Sequence, residues 1–348
     1  MAETESGKRV TLADVAAAAG VSPAAVSLAV RGEPGVSEET RRRIVETARR
    51  LGYRTVNRWG SRRSRQTTIG LVIKAPQGDA PKANRFYAPV MAGIEESCRL
   101  RSVDLLLATM PVDADYHPIE VPRLVAERAT DGLIVVGAHL SRGTTELLED
   151  GPPVLLVDAY AEDAAFDSVV SDDVGGARAA VEHLIAKGHR AIAIVGSHPG
   201  SFPSILQRRR GYEQAMTEAG LQPHFADGPH VPPEVGAAAG LDYVCAHPEI
   251  TAVFCCNDDV AVAFSQSAQR TGIVVPDAMS VVGYDDIDLA AFVTPRLTTM
   301  AVDKIGMGHL AVTLLLHRLE LGSAAVTQTL IRPRLVERES VATRLPSS

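Results

Sequence analysis

Short runs of consecutive apolar residues alternate with amphipathic stretches from Thr68 onward. The runs are IGLVI at 69, VDLLLAT at 103, DGLIVVG at 131, PVLLVD at 153, AIAIVG at 191, TAVFCCND at 251 and MSVVGYDD at 279. Helical patterns lie between them, as in residues 89–100, 174–187 and 259–271. Continuous β-branched runs separated by helices predict buried parallel strands with helical crossovers, a doubly wound α/β architecture.

The series of runs is too long for one sheet, and a second cycle starts near Ala191. We therefore expect two open sheets. Because ligands bind beyond the carboxyl ends of parallel strands, the two sheets should place a ligand site in the cleft between them.

The first fifth of the chain has a different pattern, that of three short helices. Thr11 is positioned to cap the first helix with Asp14 three residues on, and Gly20 supplies the turn after it. Ser22 is positioned to cap the second helix, with Pro23 at its first position. The predicted inward residues are Leu12, Val15, Ala16, Ala19, Val26, Ala29 and Val30.

The third helix follows a cap at Ser37, with Ile44, Val45, Ala48 and Leu51 facing inward and Arg41, Arg42, Arg43, Arg49 and Arg50 facing out. Helix, glycine turn, helix and third helix form a helix-turn-helix. We interpret the many alanines of residues 11–30 as small side chains required by this tight packing.

Charge is distributed unevenly along the 348 residues. The first 65 residues hold 13 Lys and Arg against 7 Asp and Glu, a net charge of +6, whereas the remainder hold 22 against 35, a net charge of −13. A basic head on an acidic body is typical of nucleic-acid binding, and a solvated basic tail is the alternative on charge alone.

Composition and cysteine content indicate the class of protein and its cellular compartment. Apolar residues make up 46% and charged residues 22%, as in ordinary globular proteins, and the length favours two or more domains. The four cysteines show no disulfide pattern, and the polar N-terminus resembles no secretion signal. We expect a cytoplasmic, nucleoid-associated protein with no membrane partner.

Specific phrases carry a family resemblance. VTLADVAAAAGVSPAAVSLAVRG followed by VSEETRRRIVETARRLGYR is similar to the DNA-binding head of the LacI/GalR family of bacterial transcriptional regulators. DSVVSDDVGGARAAVEHLIAKGHRAIAIVG, RRRGYEQAM and VPDAMSVVGYDDIDLAAFVTPRLTTM resemble the family's core, and the similarity spans residues 8–340.

The resemblance implies an all-α helix-turn-helix head plus an α/β two-lobed, periplasmic-binding-protein-like core of two doubly wound parallel sheets. The implied domains are a head at 1–56, a hinge at 57–67, an effector-binding and dimerisation domain at 68–340 and a flexible tail at 341–348. Within the core, one subdomain is expected at about 68–170 and 300–328, and the other at about 171–297 and 329–340.

The resemblance also implies DNA contacts. Residues read from the family positions are Thr11, Ser22, Pro23, Ala24, Ser27, Leu28, Arg31, Arg41, Tyr53, Asn57, Arg62 and Arg63. Pro23, Ala24 and Leu28 occupy base-reading positions, and none of them can form bidentate hydrogen bonds to a base. We expect Ala24 and Leu28 to contact thymine methyls, while the polar and basic residues mainly contact phosphates. In the alternative, Leu28 packs against its own helix and Arg31 contacts a base edge.

The hinge departs from the family pattern. Arg62 or Arg63 stands near the place of the leucine that wedges into the minor groove in relatives, and Gly60 weakens the hinge helix. Arg62, Arg63 or Trp59 is therefore expected at a narrow A·T-rich groove instead.

Family positions also imply an effector site of Phe86, Tyr87, Asp158, Asp172, Phe202, Ser204, Arg208, Val231, Asn257 and Asp285. Aromatic faces can stack on a sugar or base ring, and Asp, Asn and Arg can hold hydroxyl pairs or a carboxylate. Alternatives are structural: Asp285 and Asn257 as helix N-caps and Tyr87 in the core. Val231 stands where relatives often have an aromatic residue, so one stacking wall is expected to be missing.

No catalytic constellation or cofactor motif emerges. Adjacent carboxylates at 172–173, 258–259 and 285–286 point in different directions, and no Cys/His spacing resembles a metal site. A ligand-responsive repressor is favoured over a solute-binding protein, which would need an export signal, and over a sugar-modifying enzyme.

One head makes too few contacts for specific binding, so a homodimer on a pseudo-palindromic double-stranded DNA operator is expected. A small sugar-like effector should change operator affinity, as either inducer or corepressor. The segment after Gln328 lacks leucine heptads, which predicts a dimer rather than a tetramer.

Overall fold

The computed structural model describes residues 11–31, 35–51, 66–76, 84–113, 117–137, 139–140, 142–161, 166–322 and 325–344. It divides into two units, Met1–Gln66 and Thr67–Ser348, called here the head and the core. No single helix of the described segments is long and apolar enough to cross a membrane; Leu12–Ala19 and Pro23–Ala29 in the head reach that length and composition only as a pair bent by 100°.

The head contains the three predicted helices, α1 (Leu12–Ala19), α2 (Pro23–Arg31) and α3 (Glu38–Arg50). Thr11 and Asp14 form a reciprocal capping box at α1, and Gly20 follows it in the left-handed region at φ 63°. The amide of Ala25 donates to the Ser22 hydroxyl oxygen at 3.1 Å, and the amide of Thr40 donates to that of Ser37 at 3.3 Å. These bonds confirm the three predicted N-caps.

The core of the head is formed by Val15, Ala16, Ala19, Val26, Ala29, Ile44 and Ala48. The packing explanation for the alanines holds only for the buried ones. Ala13, Ala17, Ala18 and Ala24 are exposed, so tight packing does not require them. Alanine has the highest helix propensity, which accounts for those positions in short helices.

Lobe 1 of the core has a six-stranded parallel sheet in the order β13-β7-β5-β3-β1-β2. Its elements are β1 (Thr68–Pro76), α4 (Tyr87–Leu100), β2 (Asp104–Val112), α5 (Arg123–Ala126), β3 (Gly132–Val136), β4 (His139–Leu140), α6 (Arg142–Glu149), β5 (Val154–Val157), β6 (Tyr160–Ala161), β7 (Asp167–Ser171), α12 (Lys304–Leu321) and β13 (Gln328–Ile331). The short β4 and β6 pair separately.

Lobe 2 has a six-stranded sheet in the order β14-β12-β11-β10-β8-β9, parallel except at β14. Its elements are α7 (Asp173–Ala186), β8 (Ile192–Val195), α8 (Pro203–Glu218), β9 (His224–Ala226), α9 (Pro233–Ala246), β10 (Ala252–Cys255), α10 (Asp258–Arg270), β11 (Ser280–Asp285), α11 (Asp288–Phe292), β12 (Thr298–Ala301) and β14 (Arg334–Val336). The chain crosses between lobes after β7, after β12 and after β13.

All seven apolar runs are strands, as predicted, but the run at 103 forms the edge strand β2, which is largely exposed and not buried as expected. Five strands of the two large sheets, β7, β9, β12, β13 and β14, lie outside those runs, because each contains at least one polar residue. Their pairing shifts two expected boundaries. Met300 and Ala301 pair within lobe 2, and residues 329–331 pair with β7 in lobe 1, so the expected subdomain boundaries at 300 and 329 are wrong.

The predicted flexible tail begins too early. The amide of Ala342 donates to the Ser280 hydroxyl oxygen at 2.9 Å, and the amide of Arg344 donates to the carbonyl of Lys187 at 2.7 Å. Residues 341–344 are therefore held on lobe 2, while residues 345–348 lie outside the described segments.

Candidate functional site

Side chains of lobe 1 meet where β5 ends and α4 begins. Asp158 follows β5 with φ 49°, a left-handed conformation that turns its side chain out of the strand pattern. The Tyr87 hydroxyl donates a 2.9 Å hydrogen bond to Oδ2 of Asp158. Phe86 packs edge-on against Tyr87, with ring centroids 5.3 Å apart. Three predicted effector residues are thus brought together.

The Asp158 carboxyl is buried, and its Oδ1 has no hydrogen-bond partner among the described residues. Burial raises the pKa of Asp158 to about 7, with a further rise from the charge of Asp173 and a lowering from Arg208. An unsatisfied buried oxygen is costly unless a ligand or water meets it. Oδ1 is therefore the atom of lobe 1 best placed to receive a ligand hydroxyl.

Arg208 organises the facing part of lobe 2. The guanidinium is buried, and its Nε donates to Oδ1 of Asp173 at 2.9 Å while Nη1 donates to the Cys256 carbonyl at 2.7 Å. Nη2 lies 3.0 Å from Oδ1 of Asp285. The Cζ atom stands 3.8 Å from the centroid of the Tyr284 ring, a stacked cation–π contact. Arg208 and Asp285, both predicted, form one ion-pair network.

Asp173, and not the predicted Asp172, is the carboxylate that pairs with Arg208. Oδ1 of Asp172 accepts from the Gly175 amide at 3.0 Å and caps α7, whereas the next carboxyl is buried against Arg208. The Tyr160 hydroxyl of lobe 1 also lies 3.5 Å from Oδ2 of Asp173. Burial raises the pKa of Asp173, opposed by the Arg208 charge. The spacing Asp-x-x-Gly was the available signal that the first carboxyl acts as a cap.

Asp285 is not a helix N-cap, since α11 begins later and its cap position is Ile287. Asp285 and Asp286 have φ values of 107° and 51°, which L-residues rarely adopt. The Lys304 ammonium donates to the carbonyl oxygen of Asp285 and, at 3.0 Å, to that of Asp286. Burial raises the pKa of Asp285 to about 6, against the lowering effects of Arg208 and Lys304.

An aromatic pair forms a further wall in lobe 2. Phe202 packs edge-on against His230, with ring centroids 4.9 Å apart. Burial lowers the pKa of His230 to about 4, helped by the positive charge of Arg208, so the imidazole is neutral at physiological pH. Val231 is 57% exposed. His230, one residue before Val231, places an aromatic ring beside Phe202.

Two other predicted residues lie apart from the Arg208 network. Oδ1 of Asn257 accepts from the Val260 amide at 2.9 Å and caps α10, the alternative considered from the sequence. Ser204 lies half-buried in the first turn of α8. In the described part of the core, neither residue is joined to the Arg208 network. No group of three His, Cys, Asp or Glu residues within the described segments could hold a metal ion.

The predicted DNA-binding surface lies at the start of α2. Ser22, Pro23 and Ala24 are exposed, and Ser27 and Leu28 are half-buried. Thr11 is exposed, and its hydroxyl donates to Oδ2 of Asp14 at 2.7 Å.

Arg41 is not fully outward as expected, because it is half-buried and its Nη1 donates to the Ala29 carbonyl at 3.1 Å. It therefore also caps the C-terminus of α2. The side chain of Arg31 and the residues Tyr53, Asn57, Trp59, Gly60, Arg62 and Arg63 lie outside the described part of the head, so the hinge stays a prediction.

A helix-turn-helix head on a two-lobed core, whose lobes bring Asp, Arg, Tyr and aromatic side chains together, defines a ligand-responsive DNA-binding regulator. Family models agree with both parts: residues 11–55 match "Bacterial regulatory proteins, lacI family", and residues 181–341 match "Periplasmic binding protein-like domain".

The ribose operon repressor of Haemophilus influenzae is 31% identical over 335 residues, 95% of this chain and 98% of that protein. A solved complex of the transcriptional regulator CelR with cellobiose has a TM-score of 0.68 and 27% identity, covering 95% of this chain and 100% of that one. A regulator from Enterococcus faecium with bound ribose has a TM-score of 0.66 and 25% identity, covering 80% and 100%. The chain belongs to the lacI family of bacterial regulatory proteins and is a ligand-responsive, DNA-binding transcriptional repressor.

Proposed function

We propose that this repressor binds a pseudo-palindromic operator as a homodimer and that a small neutral sugar, bound between the lobes, changes its affinity for that operator. The observation that carries the choice of ligand is the Arg208 network. Nε, Nη1 and Nη2 of Arg208 already face Asp173, the Cys256 carbonyl and Asp285. The guanidinium charge is therefore directed at protein carboxylates.

The second cation near the site, Lys304, is also directed at protein oxygens. The Lys304 ammonium faces the carbonyl oxygens of Asp285, Asp286 and Val302. Against these two cations the site places the carboxyls of Asp158, Asp173 and Asp285. An anionic effector would approach these acidic groups while Arg208 and Lys304 are already paired with protein oxygens. Placing another negative charge in such a buried site is unfavourable.

A polyol suits this arrangement. Sugar hydroxyls donate hydrogen bonds to carboxyl oxygens such as Oδ1 of Asp158, and the apolar face of a sugar ring packs on aromatic rings such as Phe86 and Phe202. The ribose and cellobiose named with the relatives support a sugar, and the ribose repressor of H. influenzae supports a pentose as the first compound to test.

Exposed apolar side chains on both lobes support the homodimer. Leu100 at the end of α4 is 65% exposed, and Leu106 and Leu107 on the edge strand β2 are 43% and 48% exposed. On lobe 2, Phe292 is 81% exposed. Exposed large apolar groups are candidates for a protein interface, and a dimer places two heads on two half-sites about one helical turn, ~10 base pairs, apart.

The proposal includes binding and release without chemical turnover, at the chromosome in the cytoplasm. The relatives support this, since they are transcriptional regulators. In the head, the exposed Ser22, Pro23 and Ala24 support base and phosphate contacts from the start of α2.

The test starts from the full-length protein and a library of randomised duplexes. Selection should return an inverted repeat with A·T pairs in the half-site core, because Ala24 and Leu28 offer only apolar contacts. Fluorescence anisotropy on that duplex then measures operator affinity with D-ribose, other neutral sugars, and the matching sugar phosphates and sugar acids.

We expect a neutral sugar to change operator affinity at least about tenfold, in either direction, while its phosphate and acid analogues have no effect. Sedimentation at the same concentrations should show a dimer. A response to the anionic analogues alone, or no inverted repeat at any salt concentration, would contradict the proposal.

A further inference from the structure

A buried lysine lies where the chain passes from lobe 2 into lobe 1. Lys304 is the first residue of α12, directly after the cap residue Asp303, whose Oδ1 accepts from the Gly306 amide at 2.9 Å. Its side chain is only 9% exposed. An ammonium group withdrawn from water needs acceptors for its three protons.

Backbone carbonyls of lobe 2 provide those acceptors. The ammonium donates to the carbonyl oxygens of Asp285 and Asp286, at the end of β11, and lies 3.5 Å from that of Val302. The first two residues have positive φ values, a strained arrangement that persists only where surrounding groups hold it. Lys304 is one such group, and Arg338 is another, with its Nη2 2.7 Å from Oδ1 of Asp286.

The same ammonium faces lobe 1. Its Nζ lies 6.0 Å from the centroid of the Phe86 ring. Phe86 is the cap residue of α4, immediately before Tyr87, whose hydroxyl bonds to Asp158. One cation therefore lies between the Phe86 ring of lobe 1 and the backbone carbonyl of Asp285 in lobe 2.

Helix α12 is also in rigid contact with α4. A Cβ atom added to Gly93 of α4 would lie 2.3 Å from the carbonyl oxygen of Ile305, and one added to Gly308 would lie 2.3 Å from that of Val90. The two helix backbones touch directly, so the first turn of α12 cannot shift without moving α4. Leu100, in the exposed apolar surface assigned to the dimer, is the last residue of α4.

We propose that Lys304 is a positioning residue of the effector site: it is rooted in α12 of lobe 1, holds the Asp285–Asp286 backbone of lobe 2, and transmits effector contact at Asp285 to α12 and α4. The role of Lys304 in the effector response rests on the proposed function. Its contacts with the Asp285–Asp286 backbone, called here the tie between lobes, do not. Lys304 is thereby the link between the effector site and the surface where the two protomers would meet.

The first experiment measures amide hydrogen exchange of the full-length protein without effector. In Lys304→Met, we expect about tenfold faster exchange both in residues 284–290 and in residues 86–92, because the tie between lobes is lost. Lys304→Arg keeps the charge and should remain close to the wild-type protein. The matched control is Lys187→Met, which removes another helix-end lysine, paired with Glu337 at 2.5 Å.

The second experiment measures operator binding by anisotropy with increasing D-ribose. Lys304→Met should raise the half-effective ribose concentration at least about tenfold, and Lys187→Met should not change it. If amide exchange in Lys304→Met is unchanged, or is faster in residues 284–290 alone, Lys304 does not tie the two lobes together. A ribose response equal to that of the wild-type protein overturns the positioning role.

Failure of the proposed function has a different signature. If the wild-type protein responds to no sugar while Lys304→Met loosens both segments, the sugar assignment fails and the tie between lobes stands.

Discussion

The Tyr87 hydroxyl donates to one oxygen of Asp158 at 2.9 Å, while the other oxygen is buried with no hydrogen-bond partner among the described residues. The carboxyl thus combines an anchored oxygen with one open to a ligand. With a pKa raised to about 7 by burial, Asp158 is partly protonated at neutral pH before the effector binds.

Effector affinity should therefore depend on pH. A sugar hydroxyl that donates to Oδ1 stabilises the ionised carboxyl, so binding lowers the pKa of Asp158 and releases a proton. Affinity should rise as pH increases through about 7 and level off above it. Isothermal titration calorimetry from about pH 5.5 to about pH 8.5 measures this. Asp158→Asn should bind more weakly and lose the component centred near 7; affinity that falls with pH in the wild-type protein would contradict the prediction.

Replacing Arg208 should destabilise the core strongly. Arg208→Met leaves the buried carboxyl of Asp173 without its counter-charge and that of Asp285 with only the charge of Lys304, which costs roughly 3–5 kcal/mol. Their pKa values then rise further, so the loss should be larger at about pH 8 than at about pH 6. Urea unfolding measures the difference. The neighbouring Arg210 is exposed, and Arg210→Met should change stability by less than about 0.5 kcal/mol; equal effects of the two variants would refute the network's role.

An ion pair joins the two lobes near the site. Nη1 of Arg85, before α4, lies 2.9 Å from Oδ1 of Asp259 in α10, and the two side chains are 54% and 39% exposed. Arg85→Asp should weaken effector binding by up to about fivefold, since exposed pairs contribute ~0.2–1 kcal/mol. The exchanged pair Arg85→Asp with Asp259→Arg should restore it. Calorimetric affinities complete the double-mutant cycle, and an exchanged pair no better than the single variant would show that the contact contributes nothing.

The close contact between α4 and α12 predicts opposite effects at two helix glycines. Gly93→Ala places a methyl group against the Ile305 carbonyl and should destabilise the protein by about 1–3 kcal/mol. A Cβ at Gly143 in α6 meets nothing within 4 Å, and Gly143→Ala should stabilise by up to about 1 kcal/mol. Thermal unfolding separates the two. A neutral Gly93→Ala would mean that the helices are not in backbone contact.

In the head, replacing Arg41 should affect both the stability of α2 and operator binding, whereas replacing Arg42 should affect operator binding alone. Arg41→Met removes the donor to the Ala29 carbonyl and should speed amide exchange in α2 as well as weaken operator binding. Arg42 is exposed, so Arg42→Met should leave exchange unchanged and reduce the salt dependence of operator binding by about one phosphate contact. Anisotropy over a range of salt concentrations, with exchange on the same samples, makes the comparison; unchanged α2 exchange in Arg41→Met would remove its capping role.

Much of the secondary structure of this protein could be predicted from interactions between residues close in sequence. The N-caps Thr11, Ser22 and Ser37 and the turn at Gly20 follow from side-chain hydrogen bonding and glycine's freedom at positive φ, both decided within a few residues. Seven apolar runs sufficed to predict both sheets, because buried parallel strands must be apolar on both faces; β2 is the exception, an edge strand whose apolar Leu106 and Leu107 are exposed.

The site depended on tertiary structure. In the adjacent pair Asp172 and Asp173, the first carboxyl caps α7 through a local hydrogen bond that the Asp-x-x-Gly spacing could have signalled, but the pairing of the second with Arg208, 35 residues away, is decided only by tertiary packing. His230 and Lys304 carried no sequence signal of their own, because their roles arise only where the lobes bring Phe202, Phe86 and Asp285 beside them. Periodicity reports which way a side chain faces within its element, whereas burial of a charge against a distant partner is decided only when the elements pack.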